Sequence, residues 1–190
     1  LIVDDNSTDS TFKIVNEKYG NNPVVKIHQS PKNQGVTKNL KDMMDKAVGQ
    51  YLFTMDGDDY IVDKEYFQRA IDFLDTNPKY SLFCSGYKLL HNDGSMYPTE
   101  DDVAVWSSQI EDLHLNDLLS INHVSFGRVF RNYKNLVKPW MNDGLHEDWL
   151  INAEILKNGP AKCEKRYAGV YRITKAGRIT SLTEEEVHEK

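Results

Sequence analysis

Two acidic runs are the first places in this sequence where side chains could do chemistry. Asp56-Gly57-Asp58-Asp59 sets two carboxylates two positions apart around a glycine, and Asp4-Asp5-Asn6 sets two side by side. Hard carboxylate oxygens in so small a set suit Mg²⁺ or Mn²⁺, with phosphate oxygens completing the coordination. Gly57 is expected to let the backbone turn tightly enough for Asp56 and Asp58 to face one point. An EF-hand loop starting at Asp56 would need Gly at 61 and Glu at 67; this chain has Ile61 and Phe67, so that geometry is excluded. On the residues alone a plainer reading stands beside the metal one, with Asp58 and Asp59 capping the next helix or lying in a solvated turn.

His146-Glu147-Asp148 is a third group. It begins like the zinc-protease pattern H-E-x-x-H, but position 150 is Leu, which removes the second zinc ligand. A carboxylate at a helix start is favoured by the dipole alone and can also serve as a general base. The glycine-rich fingerprints of Walker and dinucleotide-binding loops are absent. Trp106 and Trp140, the latter after Pro139, offer flat apolar faces on which a ligand ring could stack, and Trp149 reads as core. Arg128 and Arg131 flank a strand and read first as solvated cations, with a contact to phosphate or acceptor as the other reading. His28, His91, His114 and His123 show no metal-ligand spacing, and the sequon Asn6-Ser7-Thr8 reads as unused.

The elements that must position these acids follow from periodicity. Leu1 to Val3 is the end of a buried strand; a helix carrying Phe12, Val15 and Tyr19, capped by Ser7 or Asp9, ends at Gly20. Val24 to His28 predicts a strand, Gly35 to about Val48 a helix, and Tyr51 to Met55 another strand, with both acidic runs at strand carboxyl ends. Strand, helix, strand, helix, strand implies a mostly parallel, Rossmann-like α/β sheet flanked by helices, whose ligands bind beyond the strand carboxyl ends. Further along, helices are predicted at Asp63 to Asp75, Glu111 to Ser120 and Glu147 to Lys157. Strands are predicted at Tyr80 to Leu90 and Val124 to Phe130, with a last strand pair at Cys163 to Thr174. One domain over residues 1–182 with a charged tail at 183–190 is the economical organisation.

Composition excludes several classes. The chain has 190 residues, 39% of them hydrophobic and 27% charged, an ordinary globular balance that rules out general disorder. No apolar run approaches the ~20 residues of a membrane span. The net charge is −6 and the cations are scattered, which argues against duplex nucleic acid as a partner. Cys84 and Cys163 form no C-x-x-C pair and read as buried, reduced thiols of a cytosolic protein.

Taken in order, Ile2-Val3-Asp4-Asp5-Asn6-Ser7-Thr8-Asp9, Asn33-Gln34-Gly35, Gly49-Gln50-Tyr51, Met55-Asp56-Gly57-Asp58-Asp59-Tyr60, His146-Glu147-Asp148 and Tyr171-Arg172 resemble a family 2 glycosyltransferase of the GT-A fold. The resemblance runs to about Ser181. It implies a metal-dependent inverting enzyme that moves a sugar from a nucleotide-sugar, a UDP-sugar foremost, to a hydroxyl of a glycan or lipid-linked acceptor in cell-surface polysaccharide synthesis. Asp5, Asn6, Asn33, Asp56 and Arg172 would meet the nucleotide-sugar: Asp5 at the base, Asp56 at the ribose. Asp58, with Asp56, would hold Mn²⁺ or Mg²⁺. Asp148 would be the catalytic base with Glu147 beside it.

Departures are Thr37-Lys38-Asn39 where relatives often carry Ala-Arg-Asn, and Thr174 where they often carry His. The family's opening strand and helix are expected ahead of Ile2. A chain without them is expected to be weakly active, with a free sheet edge open to pairing with a second copy. A cytoplasmic place, free or at the inner membrane face, is expected from the reduced cysteines and the unused sequon. Two other functions remain open at this point: a nucleotidyltransferase acting on a sugar phosphate, and a non-catalytic nucleotide-sugar-binding module.

Overall fold

A computed structural model describes residues 1–99, 111–119, 124, 126–141 and 147–174. The chain divides into two units, Leu1–Val48 with Lys134–Glu147, and Gly49–Tyr133 with Asp148–Lys190.

The first unit opens with a strand–helix–strand turn. β1 (Ile2–Asp4) pairs in parallel with β2 (Ile27–Gln29), Val3 opposite His28, and α1 (Thr11–Tyr19) connects them. Ser7 does not cap α1. Its amide and hydroxyl both turn back onto the carboxylate of Asp4, and Asp9 takes up the Thr11 amide at 2.9 Å. β2 begins three residues later than the apolar pattern predicts, because Asn22 to Val25 make a turn of their own. α2 (Val36–Lys46) buries Thr37, Asn39 and Met44.

The second unit holds a mixed sheet. β3 (Tyr51–Phe53), β8 (Val129–Arg131), β5 (Leu82–Leu90), β9 (Ala161–Arg172) and β4 (Tyr60–Ile61) lie in that order; β6 (Met96–Tyr97) pairs with β5 and β7 (Asp112–Leu113) with β9. β5 and β9 are parallel, and the other neighbours are antiparallel. The α/β expectation holds, but a mostly parallel sheet does not form here, since β8 inserts between β3 and β5 running the opposite way. α3 (Tyr66–Thr76) packs Tyr66, Ala70 and Leu74 onto the sheet beside Tyr80, Phe83, Val129 and Ala168. α4 (Glu147–Leu156) buries Ile151, Asn152, Ile155 and Leu156.

Three predicted elements come out differently. Within Glu111 to Ser120 the chain forms β7 and a 3₁₀ turn at Leu115–Leu119, because Asp112 and Leu113 pair with Lys162 and Ala161 on the flank of β9 opposite β5. Val124 to Phe130 yields only the short β8, displaced to Val129–Arg131 by the turn at Gly127 (φ 65°). Cys163 to Thr174 forms one long strand instead of a pair. Between Ser85 and Tyr87 on β5, β9 runs from Glu164 to Gly169, so it bulges outward and then resumes its ladder. The tail at 183–190, Trp106, His123 and His146 lie outside the described residues.

Candidate active site

Topology brings one edge of the second unit together. β3, β5 and β9 run the same way, so their carboxyl ends share an edge, and the antiparallel β8 starts at that edge with Arg128. Asp56-Gly57-Asp58-Asp59 leaves β3 there, Tyr171-Arg172 ends β9 there, and α4, which feeds back into β9, carries Asp148 in its first turn.

The segment after the acidic run is clamped onto β9. Tyr60 and Ile61 pair with Val170 and Gly169, the amides of Val62 and Asp63 both donate to the Ala168 carbonyl, and the Arg172 amide donates to Asp59 Oδ1 at 2.9 Å. Gly169 makes that approach possible. A Cβ there would stand 2.5 Å from the Tyr60 carbonyl oxygen and 2.8 Å from the Phe126 ring. Gly57, by contrast, has no left-handed backbone, and a Cβ on it would meet nothing within 4 Å, so the turn expected of it does not depend on the missing side chain.

The acids feel one another. Asp56 is exposed yet crowded by protein; partial desolvation first, then the charges of Asp58 and Asp148, hold its carboxyl above the usual carboxylate range, while Arg128 pulls it down. Asp59 is pushed up to about 6 by burial, with Asp58 and Asp56 adding and the Arg172 amide opposing. Burial raises the Tyr171 hydroxyl too, helped by Asp59, Asp56, Asp58 and Asp148 in turn. A cation held beside Asp56 would favour its charged form. Among the described residues no three acidic, His or Cys side chains are grouped to hold a metal unaided. Asp56 and Asp58 are the residues at this edge that could hold a divalent ion, given further ligands from phosphate or water.

Arg128 and Arg131 are not solvated cations. Arg131 donates to the carbonyls of Tyr80 and Leu74 at 2.9 and 2.6 Å, and Arg128 donates to Thr54 Oγ1 at 3.2 Å and Asn152 Oδ1 at 3.1 Å. In sequence nothing separates them from other basic residues; the antiparallel register of β8 against β3 does. Trp149 is half-buried, its indole N–H donating to the Leu118 carbonyl at 2.8 Å, and Trp140 is 63% exposed. Arg172 is exposed, its guanidinium 6.0 Å from the Tyr60 ring centre.

In the first unit the Asp5 carboxylate accepts the amides of Gln34 and Gly35, both at 2.9 Å, and so fixes the loop ahead of α2. Gln34 Nε2 continues the network to Ser30, Asn39 and Asp42. This ties Asn39, the residue of the departing Thr37-Lys38-Asn39 stretch, to structure. Asp4 is buried, and bonds from Ser7 and Gln29 outweigh its desolvation and keep its carboxyl below the ordinary value. Asn6 is exposed and left-handed (φ 61°), a conformation Asn tolerates; Asn33 is exposed.

The profile described as "Glycosyl transferase family 2" matches residues 1–136. The chain belongs to that family. An uncharacterised protein of Mycobacterium tuberculosis is 25% identical over 173 residues, covering 90% of this chain and 49% of the relative. Chondroitin synthase of Pasteurella multocida is 32% identical over 99 residues, covering 45% of this chain and 10% of that enzyme. Among solved structures, S. aureus TarS 1-349 in complex with UDP-GlcNAc superposes with a TM-score of 0.70 at 21% identity, covering 95% of this chain and 51% of that one. TarS 1-349 with UDP gives 0.61 at 22%, covering 91% and 50%. At such identities these two matches speak for the GT-A fold alone. The chain spans about half the length of the mycobacterial and TarS chains it matches. Among the described residues of this family member, no helix is long and apolar enough to cross a membrane.

Proposed function

We propose that this family 2 chain carries the donor site and catalytic base of a metal-dependent inverting glycosyltransferase. The observation that carries the reading is the shared strand edge: Arg128 bridges Thr54, two residues before Asp56, to the Asp148 carbonyl, and the Arg172 amide donates to Asp59 beside Asp58. Two acids on a strand-end loop suit a metal-bound diphosphate, and a third on a helix start suits a base. Asp58 and Asp56 would hold Mn²⁺ or Mg²⁺, which when bound neutralises charge developing on the diphosphate. Asp148, with Glu147 beside it, accepts the proton of an acceptor hydroxyl. The hydroxyl oxygen bonds the anomeric carbon, and the bond from that carbon to the phosphate oxygen breaks, its electron pair leaving with the nucleoside diphosphate. Attack from the opposite face inverts the configuration.

Asp5, Asn6, Asn33 and Arg172 are assigned to the nucleotide-sugar, Asp5 to its base and Asp56 to its ribose. TarS has been captured with UDP-GlcNAc, which supports a UDP-sugar as donor, and the chondroitin synthase among the relatives supports a polysaccharide acceptor; a lipid-linked acceptor is the other substrate this reading admits. The reading places the protein in the cytoplasm or at the inner face of its membrane.

Calorimetry with UDP tests the donor site. Binding should need Mn²⁺ and vanish in Asp58→Ala; equal affinity in chelator would remove the metal assignment. With a UDP-sugar and acceptor, Asp148→Asn should keep UDP affinity and lose turnover by orders of magnitude. Release of nucleoside diphosphate agrees with glycosyl transfer, whereas pyrophosphate would hand the site to nucleotidyl transfer.

A further inference from the structure

Arg128 stands where three parts of the acidic edge meet. The ladder that pairs Phe53 with Val129 sets Arg128 across from Thr54, one residue beyond the last pair and two before Asp56 on the facing segment. Its Nη2 donates to Thr54 Oγ1 at 3.2 Å, and its Nη1 donates to Asn152 Oδ1 at 3.1 Å and to the backbone carbonyl of Asp148 itself at 3.4 Å. Asn152 is fully buried and anchored in turn, its Nδ2 donating to the Val124 carbonyl at 2.5 Å.

The backbone behind Arg128 is equally fixed. Gly127 is left-handed at φ 65°, the buried Tyr66 hydroxyl donates to its carbonyl, and a Cβ there would stand 3.0 Å from Ser85 Oγ. A planar fork on a rigid root thus joins the strand end that leads into Asp56 to the helix turn that carries Asp148.

We infer that Arg128 is a positioning residue, setting the first turn of α4 against the loop that carries Asp56 and Asp58; the inference rests on the glycosyltransferase reading. Three of the five guanidinium N–H groups meet protein acceptors on the two sides of the edge, and donor affinity in the variants separates this role from a contact to donor phosphates. Arg128 also supplies a positive charge beside Asp56, so the two acids are held near each other without a full like-charge penalty. Lysine would keep the charge but has no fork with which to span Thr54 and Asn152.

The test uses the protein in its full natural length. Arg128→Lys and Arg128→Met should lower turnover on the order of 100-fold, as a misplaced catalytic group does. Donor KM and the Mn²⁺-dependent UDP affinity should stay near the parent's. Amide exchange over residues 147–156 should quicken while residues 66–76 keep the parent rate, and added guanidinium ion should restore part of the turnover of Arg128→Ala.

UDP affinity falling in step with turnover would make Arg128 a donor contact instead and overturn the inference, as would unchanged turnover and exchange. If Arg128→Met does not fold, Thr54→Val removes one acceptor at nearly constant shape and should show the same loss; parent-like turnover there refutes the role. Absence of sugar transfer by the parent counts against the glycosyltransferase reading, and exchange over 147–156 in Arg128→Lys then decides the positioning claim by itself.

Discussion

Removing the Arg69 guanidinium should loosen the platform on which the acidic run is mounted. Arg69 Nη2 lies 2.7 Å from Asp63 Oδ2 and 2.8 Å from Glu164 Oε1, and its Nε donates to Glu164 Oε2 at 3.2 Å. It thereby joins α3, the segment after β4 and the bulge of β9. The Glu164 side chain is only 15% exposed, so Arg69→Met leaves a largely desolvated carboxylate without its cation. Exposed pairs are worth about 0–1 kcal/mol and breaking a buried one costs about 3–5; this half-buried, bidentate clamp falls between, at roughly 2 kcal/mol. For a chain of this size that corresponds to a Tm loss of about 4–8 °C.

The pH dependence has a fixed sign. Hydrogen bonding from Arg69 holds the Asp63 carboxyl below its ordinary value of 3.8, so the folded state binds that proton more weakly than the unfolded chain. Its contribution is complete above the unfolded value and is lost as pH falls through the folded one. The gap between parent and Arg69→Met in urea melts should therefore be widest near neutrality and narrow below about pH 4. A gap under about 0.5 kcal/mol at pH 7, the scatter of ordinary surface changes, would refute the clamp. A gap that does not narrow in acid would refute the role given to Asp63.

Other perturbations separate structure from chemistry at the same edge. Gly57→Ala should leave stability within about 0.5 kcal/mol, since its Cβ meets open space, whereas Gly127→Ala, forced into a left-handed backbone beside Ser85, should cost about 1 kcal/mol or more; thermal melts compare them directly. Tyr66→Phe deletes the buried hydroxyl that serves the Gly127 carbonyl and should cost about 1–3 kcal/mol in urea melts. Cys84 and Cys163 are both fully enclosed, so neither thiol should react with an aromatic disulfide reagent until urea unfolds the chain; prompt reaction in native buffer would contradict their burial.

What could be read from the residues alone was local. Apolar periodicity, Gly20 and the Asp-Gly-Asp spacing place most helices and both acidic runs within a few residues of where they form, because each depends on neighbours a turn away. The failures were non-local. Asp112 and Leu113 look helical until β9 offers an edge to pair with, and Arg128 looks like any surface cation until the β3–β8 register sets it opposite Thr54. Cys84 and Cys163 are far apart in sequence, yet they are cross-strand partners in the parallel β5–β9 ladder, with sulfurs 2.9 Å apart.

The β9 bulge shows why the edge could not be read from spacing. From Ser85 to Tyr87, β5 advances two residues while β9 advances five, from Glu164 to Gly169. Those extra residues put the Ala168 carbonyl where it can take two amides from Val62 and Asp63, and they put Gly169 under Tyr60. From that point the ladder delivers the Arg172 amide to Asp59. Deleting Lys165 and Arg166 from the bulge should therefore leave the Cys84–Cys163 end of the ladder paired while releasing the clamp on the acidic run. Hydrogen exchange should then quicken over residues 59–63 and not over 82–84; uniform exchange across both would mean that the bulge does not set the register at this edge.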